Sequence, residues 1–91
     1  MKTIWKKVIQ ITDIQNIGLP KGAKILSVQD QHSKATIWFE ADTEAAEEVR
    51  TLRIYGTGHP MDEDAEQVYI GTFQFGSDLV WHVYEHIGDK K

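Results

Sequence analysis

The chain contains no cysteine, so it forms no disulfide, presents no thiolate to zinc and has no thiol nucleophile. Long apolar runs are missing as well, and no stretch approaches the ~20 consecutive apolar residues that a helix needs to cross a bilayer. The opening segment Met1-Lys2-Thr3-Ile4-Trp5-Lys6-Lys7-Val8-Ile9 has the positive residues of a signal peptide, but lysines interrupt its apolar positions and no h-region follows. Neither end carries a recognisable lipidation signal. These absences predict a cytoplasmic protein with no membrane role. Positive charge is also scarce. Ten Lys and Arg face fourteen Asp and Glu, and the resulting net charge of −4 disfavours a sequence-independent grip on duplex DNA. Ser27, Ser33 and Ser77 lack a Gly-x-Ser-x-Gly elbow, and the acidic run Asp62-Glu63-Asp64-Ala65-Glu66 lacks the Asp-x-Asp-x-Asp-Gly calcium pattern, so no metal is expected.

What is present is one ordinary globular domain over residues 1–91. With 91 residues, 41% hydrophobic and 26% charged, the chain is long enough for one core, too short for a second, and has no need of a cofactor to fold. Period-two alternation of β-branched and aromatic residues recurs between turn signals, which predicts an all-β domain: a small antiparallel sandwich or partly open barrel of about six strands. The first strand runs from about Thr3 to Ile11, with lysines that suit an edge. Asn16-Ile17-Gly18-Leu19-Pro20-Lys21-Gly22 reads as an irregular extended connection because two glycines and a proline interrupt it. Lys24 to Asp30 and Ala35 to Ala41 follow as strands joined by a polar loop over Asp30 to Lys34. Asp42 to Glu48 has an Ala/Glu composition that allows one short helical turn or an acidic loop. Val49 to Tyr55 is the fourth strand.

The last third predicts a C-terminal hairpin, Val68 to Phe75 and Asp78 to Ile87, around Gly76-Ser77 as a type II′ turn. Placing Phe75 opposite Asp78 pairs Gln74 with Leu79, Phe73 with Val80, Thr72 with Trp81, Gly71 with His82, Ile70 with Val83 and Tyr69 with Tyr84. One face then carries Ile70, Leu79, Trp81 and Val83; the other carries Tyr69, Phe73, Phe75, Val80, His82 and Tyr84, with a gap at Gly71. Two apolar faces on so small a domain predict that one meets the core and the other a second layer, a ligand or another copy, hence a homo-oligomer.

The segment Arg53-Ile54-Tyr55-Gly56-Thr57-Gly58-His59-Pro60 is the main candidate for chemistry. A strand that ends in a glycine-spaced loop aims backbone N–H groups at an anion, and Arg53 and His59 add charge-assisted bonds, an arrangement suited to a phosphate. The same two glycines also suit a plain turn, and the segment has neither a dinucleotide fingerprint nor a P-loop. The candidate ligand-binding set is Arg53, Tyr55, Gly56, Thr57, Gly58, His59, Tyr69, His82 and Tyr84, the tyrosines stacking on a base. His82 and His86 have the spacing of a helical metal pair, but on a strand they stand about 13 Å apart, too far to share an ion. A nuclease or phosphodiesterase using His59 with an acidic residue is a further reading. No catalytic residue and no cofactor are assigned.

The blocks Pro20-Lys21-Gly22-Ala23-Lys24-Ile25-Leu26-Ser27-Val28-Gln29, Arg53 to Pro60, Tyr69-Ile70-Gly71-Thr72-Phe73-Gln74 and Val80-Trp81-His82-Val83-Tyr84-Glu85 occur in an order that resembles a family of small uncharacterised proteins of tailed phages and prophage-bearing bacteria. The resemblance covers most of the chain and implies a setting: an accessory protein that counteracts host defence. Two functions suit it. One is sequestration, without turnover, of a nucleotide-derived signalling molecule; the other is blockade of a host defence or regulatory protein.

Overall fold

β4, Lys34–Asp42, shows most directly how the sequence builds the core, because Ala35, Ile37, Phe39 and Ala41 alternate inward and are all buried. The structure, a computed structural model, describes residues 1–76 and 78–90. Among these the chain is all β. The other strands are β1 Lys2–Val8, β2 Ile14–Pro20, β3 Lys24–Gln31, β5 Glu47–Gly56, β6 Ala65–Phe75 and β7 Leu79–Asp89. They form two open antiparallel sheets, ordered β1-β4-β3 and β2-β5-β7-β6. The sheets stack as a flat sandwich with extents of 40 × 39 × 15 Å. Ile17 and Leu19 of β2, Val28 of β3, Leu52 and Ile54 of β5, Phe73 of β6 and Val83 of β7 complete the core against β4.

The expected sandwich is present, with seven strands where the alternation suggests six. The added strand is β2, in the segment whose Gly18 and Pro20 read as breakers. Both are tolerated because β2 is an edge: Pro20 stands at its last position, where a missing N–H costs little. The segment expected to hold a helical turn instead ends β4 at Asp42 and begins β5 at Glu47, with no helix in the turn over 43–46, where the Asp42 carboxylate accepts the Glu44 N–H at 3.0 Å. That bond is the main reason the Asp42 carboxyl is held below its ordinary range. The polar loop between β3 and β4 is tighter than expected: Gln31 pairs with Lys34, leaving only His32 and Ser33 as the turn. Both have positive φ, 53° and 64°, as a type I′ turn demands.

The C-terminal hairpin corrects the expected register. Phe75 faces Leu79 in place of Asp78, and the pairs become Gln74 with Val80, Phe73 with Trp81, Thr72 with His82 and Gly71 with Val83. Ser77, half of the expected two-residue turn, lies outside the described residues. A bulge between Tyr69 and Gly71 then absorbs Ile70 and restores the pair Tyr69 with Tyr84. The slip of one residue moves Phe73 and Phe75 onto the core face with Trp81 and Val83, and leaves Tyr69, Thr72, His82 and Tyr84 on the outer face. Gly71 is therefore no gap opposite His82. It faces the other sheet, where an added Cβ would stand 3.1 Å from Val28 Cγ1.

Charged groups also lie between the sheets. Arg50 of β5 points inward, makes a two-pronged ion pair with Glu85 of β7, and donates through Nη1 to the Ala23 carbonyl at 2.8 Å. Glu48, 3.6 Å from Arg50, accepts the Gly22 N–H at 2.8 Å. The turn between β2 and β3 is thus tied to the four-stranded sheet by side chains.

Two outcomes follow. Arg50→Ala leaves Glu85 and the Ala23 carbonyl without their donor, and a loss of about 3 kcal/mol in urea unfolding is expected, whereas the double variant Arg50→Met, Glu85→Met recovers a large part of it. Replacing His32-Ser33 by Asn-Gly relieves two non-glycine residues of positive φ and raises stability by roughly 0.5–1 kcal/mol in the same assay.

Candidate functional site

The outer face of the four-stranded sheet carries Arg53 and Tyr55 on β5, His82, Tyr84 and His86 on β7, and Tyr69 and Thr72 on β6, because pairs across adjacent strands share a face. The segment after β5 folds back over this face. Its first turn closes with the His59 N–H donating to the Gly56 carbonyl at 3.0 Å, and Gly58 takes φ +88°, the left-handed position that a type II turn needs at its third residue. Gly58 is thus a turn glycine. Gly56 is required for space: an added Cβ would stand 2.8 and 2.9 Å from the His59 ring and 3.1 Å from Trp81.

A hydrogen-bonded chain runs across the face. Thr57 Oγ1 lies 2.8 Å from His82 Nε2, His82 Nδ1 lies 3.0 Å from Thr72 Oγ1, and Thr72 Oγ1 lies 2.6 Å from the Tyr69 hydroxyl. Both nitrogens of His82 are held by hydroxyls, which fixes the ring plane. Tyr84 lies edge-on between Tyr69 and Tyr55, at centroid distances of 5.3 and 5.8 Å. The Tyr55 hydroxyl donates to Gln67 Oε1 at 2.9 Å and accepts the Asp62 N–H at 3.4 Å, pinning the loop over β5 and β6.

Arg53 stands over the Tyr55 ring, 5.5 Å from its centroid, and its Nη1 donates to Asp62 Oδ2 at 3.3 Å. Its Nε is buried without a partner among the described residues, as is Trp81 Nε1. His59 parts company with His82. Its ring turns to the end of the sandwich, over Gly56 and 6.4 Å from the Trp81 ring. There it borders three cavities: one of about 360 Å³ with Asp13, Arg53 and Tyr55, one of about 350 Å³ with Trp81 and Leu79, and one of about 180 Å³ with Thr57, His82 and Tyr84.

A family model described as Domain of unknown function (DUF7352) matches residues 1–91. The chain belongs to this family. Neither a curated protein nor a solved structure matches it.

The structure of this DUF7352 chain therefore brings the sequence-derived residues to one end of one sheet, but divides them. Thr57, Tyr69, His82 and Tyr84 share the outer face; Arg53 and Tyr55 lie under the loop; His59 caps the end. Sequence reasoning missed Thr72, which the expected register placed opposite Trp81, and Asp62, whose contact with Arg53 depends on the loop folding back. Only the one-residue offset that pairs Phe75 with Leu79 would have exposed Thr72. His82 and His86 lie on β7 as a strand, and no group of three or more His, Asp or Glu among the described residues is placed to hold a metal ion. Nor does any helix of the described residues have the length and apolarity to cross a membrane.

Gly56→Ala drives the His59 ring from its seat on Trp81. The expected result is a loss on the order of 1–3 kcal/mol in chemical unfolding, the usual range for overpacking, with a shift of the Trp81 indole N–H resonance.

Proposed function

We propose that this DUF7352 protein binds a small phosphate-bearing ligand at the Arg53 to His59 segment and holds it without turnover. The observation that carries the reading is the position of Arg53. Its side chain is only 18% exposed, its guanidinium is stacked on Tyr55 and anchored by one bond to the Asp62 carboxylate, and it borders the same cavity as His59. A guanidinium has five donors in a fixed fork, so one long contact leaves most of them for a better acceptor. Asp62 stands where an anion would stand, and a phosphate with more charge and more acceptor oxygens would displace it. The pairing of His82 with two threonine hydroxyls, and with no carboxylate, supports binding over acid–base chemistry.

In the phage setting that the resemblance implies, the ligand is a nucleotide-derived signal of host defence, and sequestration is the anti-defence act. Tyr69 and Tyr84, neighbours on the outer face, supply aromatic surface for a base. A second reading has its own support: the apolar side chains Val68, Leu79 and Ile87 of the same hairpin are each more than half exposed, and a host protein or another copy of this chain would cover them.

Isothermal titration with inorganic phosphate, nucleoside mono- and diphosphates, and cyclic mono- and dinucleotides tests the site. Arg53→Ala is expected to weaken the best binder at least 30-fold with the circular dichroism spectrum unchanged, and Asp62→Asn to tighten it several-fold. Unaltered affinity in Arg53→Ala, or weaker binding in Asp62→Asn, overturns the assignment.

A further inference from the structure

The sandwich is closed along one side and open along the other. On the closed side β3 approaches β6, and Gly71 lets Val28 come near. On the open side β1 and β2 are the free edges of different sheets, and between them lies a cavity of about 420 Å³. Trp5 and Lys7 of β1 point toward it, since they pair with Phe39 and Ile37, whose side chains face the core. Phe39 and Pro20 complete the apolar wall. Trp5 remains 43% exposed although it faces inward, because β2 does not cover it.

Lys7 spans this opening. Its Nζ donates to the Gly18 carbonyl of β2 at 3.0 Å, and no carboxylate of the described residues comes within 4.0 Å of it, although Glu47 stands on the rim. An ammonium has three donors, and one neutral carbonyl occupies one of them. The Glu47 carboxylate packs over Gly18 without reaching Lys7, so a carboxylate inside the cleft that contacts the ammonium directly gains a charge-assisted bond that the Gly18 carbonyl does not supply. The cavity volume falls within the ~300–1,000 Å³ range of small-molecule sites, and its lining sets the apolar Trp5, Phe39 and Pro20 beside polar and charged side chains.

We propose that the cleft between β1 and β2 is a second binding site, for an apolar carboxylate: a ligand whose ring or hydrocarbon body lies against Trp5, Phe39 and Pro20 and whose carboxylate pairs with Lys7. The site is separate from the Arg53 to His59 segment and does not rest on the function proposed for it. Selectivity follows from Lys7, because Lys6, the other lysine on the lining, donates to Gln31 Oε1 at 2.6 Å. A neutral amide of the same body keeps the apolar contacts and loses the charge-assisted bond.

The test uses 4-phenylbutyrate and its uncharged amide, titrated against the full chain and followed by amide and indole resonances. Carboxylate binding is expected with at least a tenfold preference over the amide, with the largest shifts at Trp5, Gly18 and Thr43. Lys7→Met keeps the stem packed and is expected to abolish that preference, and Trp5→Ala to weaken both ligands together. Absence of binding by either ligand, an unchanged preference in Lys7→Met, or shifts centred on Arg53 and His59 overturns the proposal. Because unfolding of Lys7→Met would mimic loss of binding, Lys7→Arg provides the control: it keeps the charge and is expected to keep the preference.

Discussion

The guanidinium of Arg50 is the tie on which the arrangement of the two sheets depends. A sandwich this thin has few apolar layers, and at the end of β5 nearest the turn between β2 and β3 the interior is filled by charge. Arg50 spends its donors on Glu85 of the neighbouring strand and on the Ala23 carbonyl, while Glu48 holds the Gly22 N–H. Its pKa is held above the ordinary value, first of all by the bonds to Glu85. The bonds join β5 and β7 of one sheet to the connection that carries the chain into the other.

The polarity of the interior runs along β5. Glu48 and Arg50 face inward at one end, Leu52 and Ile54 in the middle, and Gly56 at the other, where the absence of a side chain admits His59 and Trp81. The outer face runs oppositely, with Val49 bare to solvent and Tyr55 buried beneath the returning loop. One strand thus carries a structural ion pair and a candidate site at its two ends, separated by core. Changes at either end are expected to act independently, as they share no partner.

The fold class was legible because alternation is a strong signal wherever one face is buried, and β4 with Ala35, Ile37, Phe39 and Ala41 shows it without interruption. β2 was not, since Gly18 and Pro20 weaken a strand everywhere except at an edge, and edge position is decided by the other strands. The ligand set was legible in part. Thr57, Tyr69, His82 and Tyr84 do meet, but Thr72 was hidden by a register in which Phe75 pairs with Leu79, one residue later than expected, and Asp62 by a loop whose path depends on the Tyr55 hydroxyl. Local patterns give the faces of single strands. They do not give the offsets between strands.

The hairpin of β6 and β7 behaves like a reading frame with two compensating shifts. Pairing Phe75 with Leu79, one residue later than the simple turn would, inverts the phase of the β6 side chains from Phe75 to Gly71, and the bulge at Ile70 inverts it back. Between the two, Gly71, Phe73 and Phe75 are in phase with the core; beyond the bulge Tyr69 returns to the phase of Tyr84 and the outer face. A length change at either place alone would turn Phe73 outward or Tyr69 inward, so chains of this family that differ by one residue in that loop should differ by one at the bulge as well.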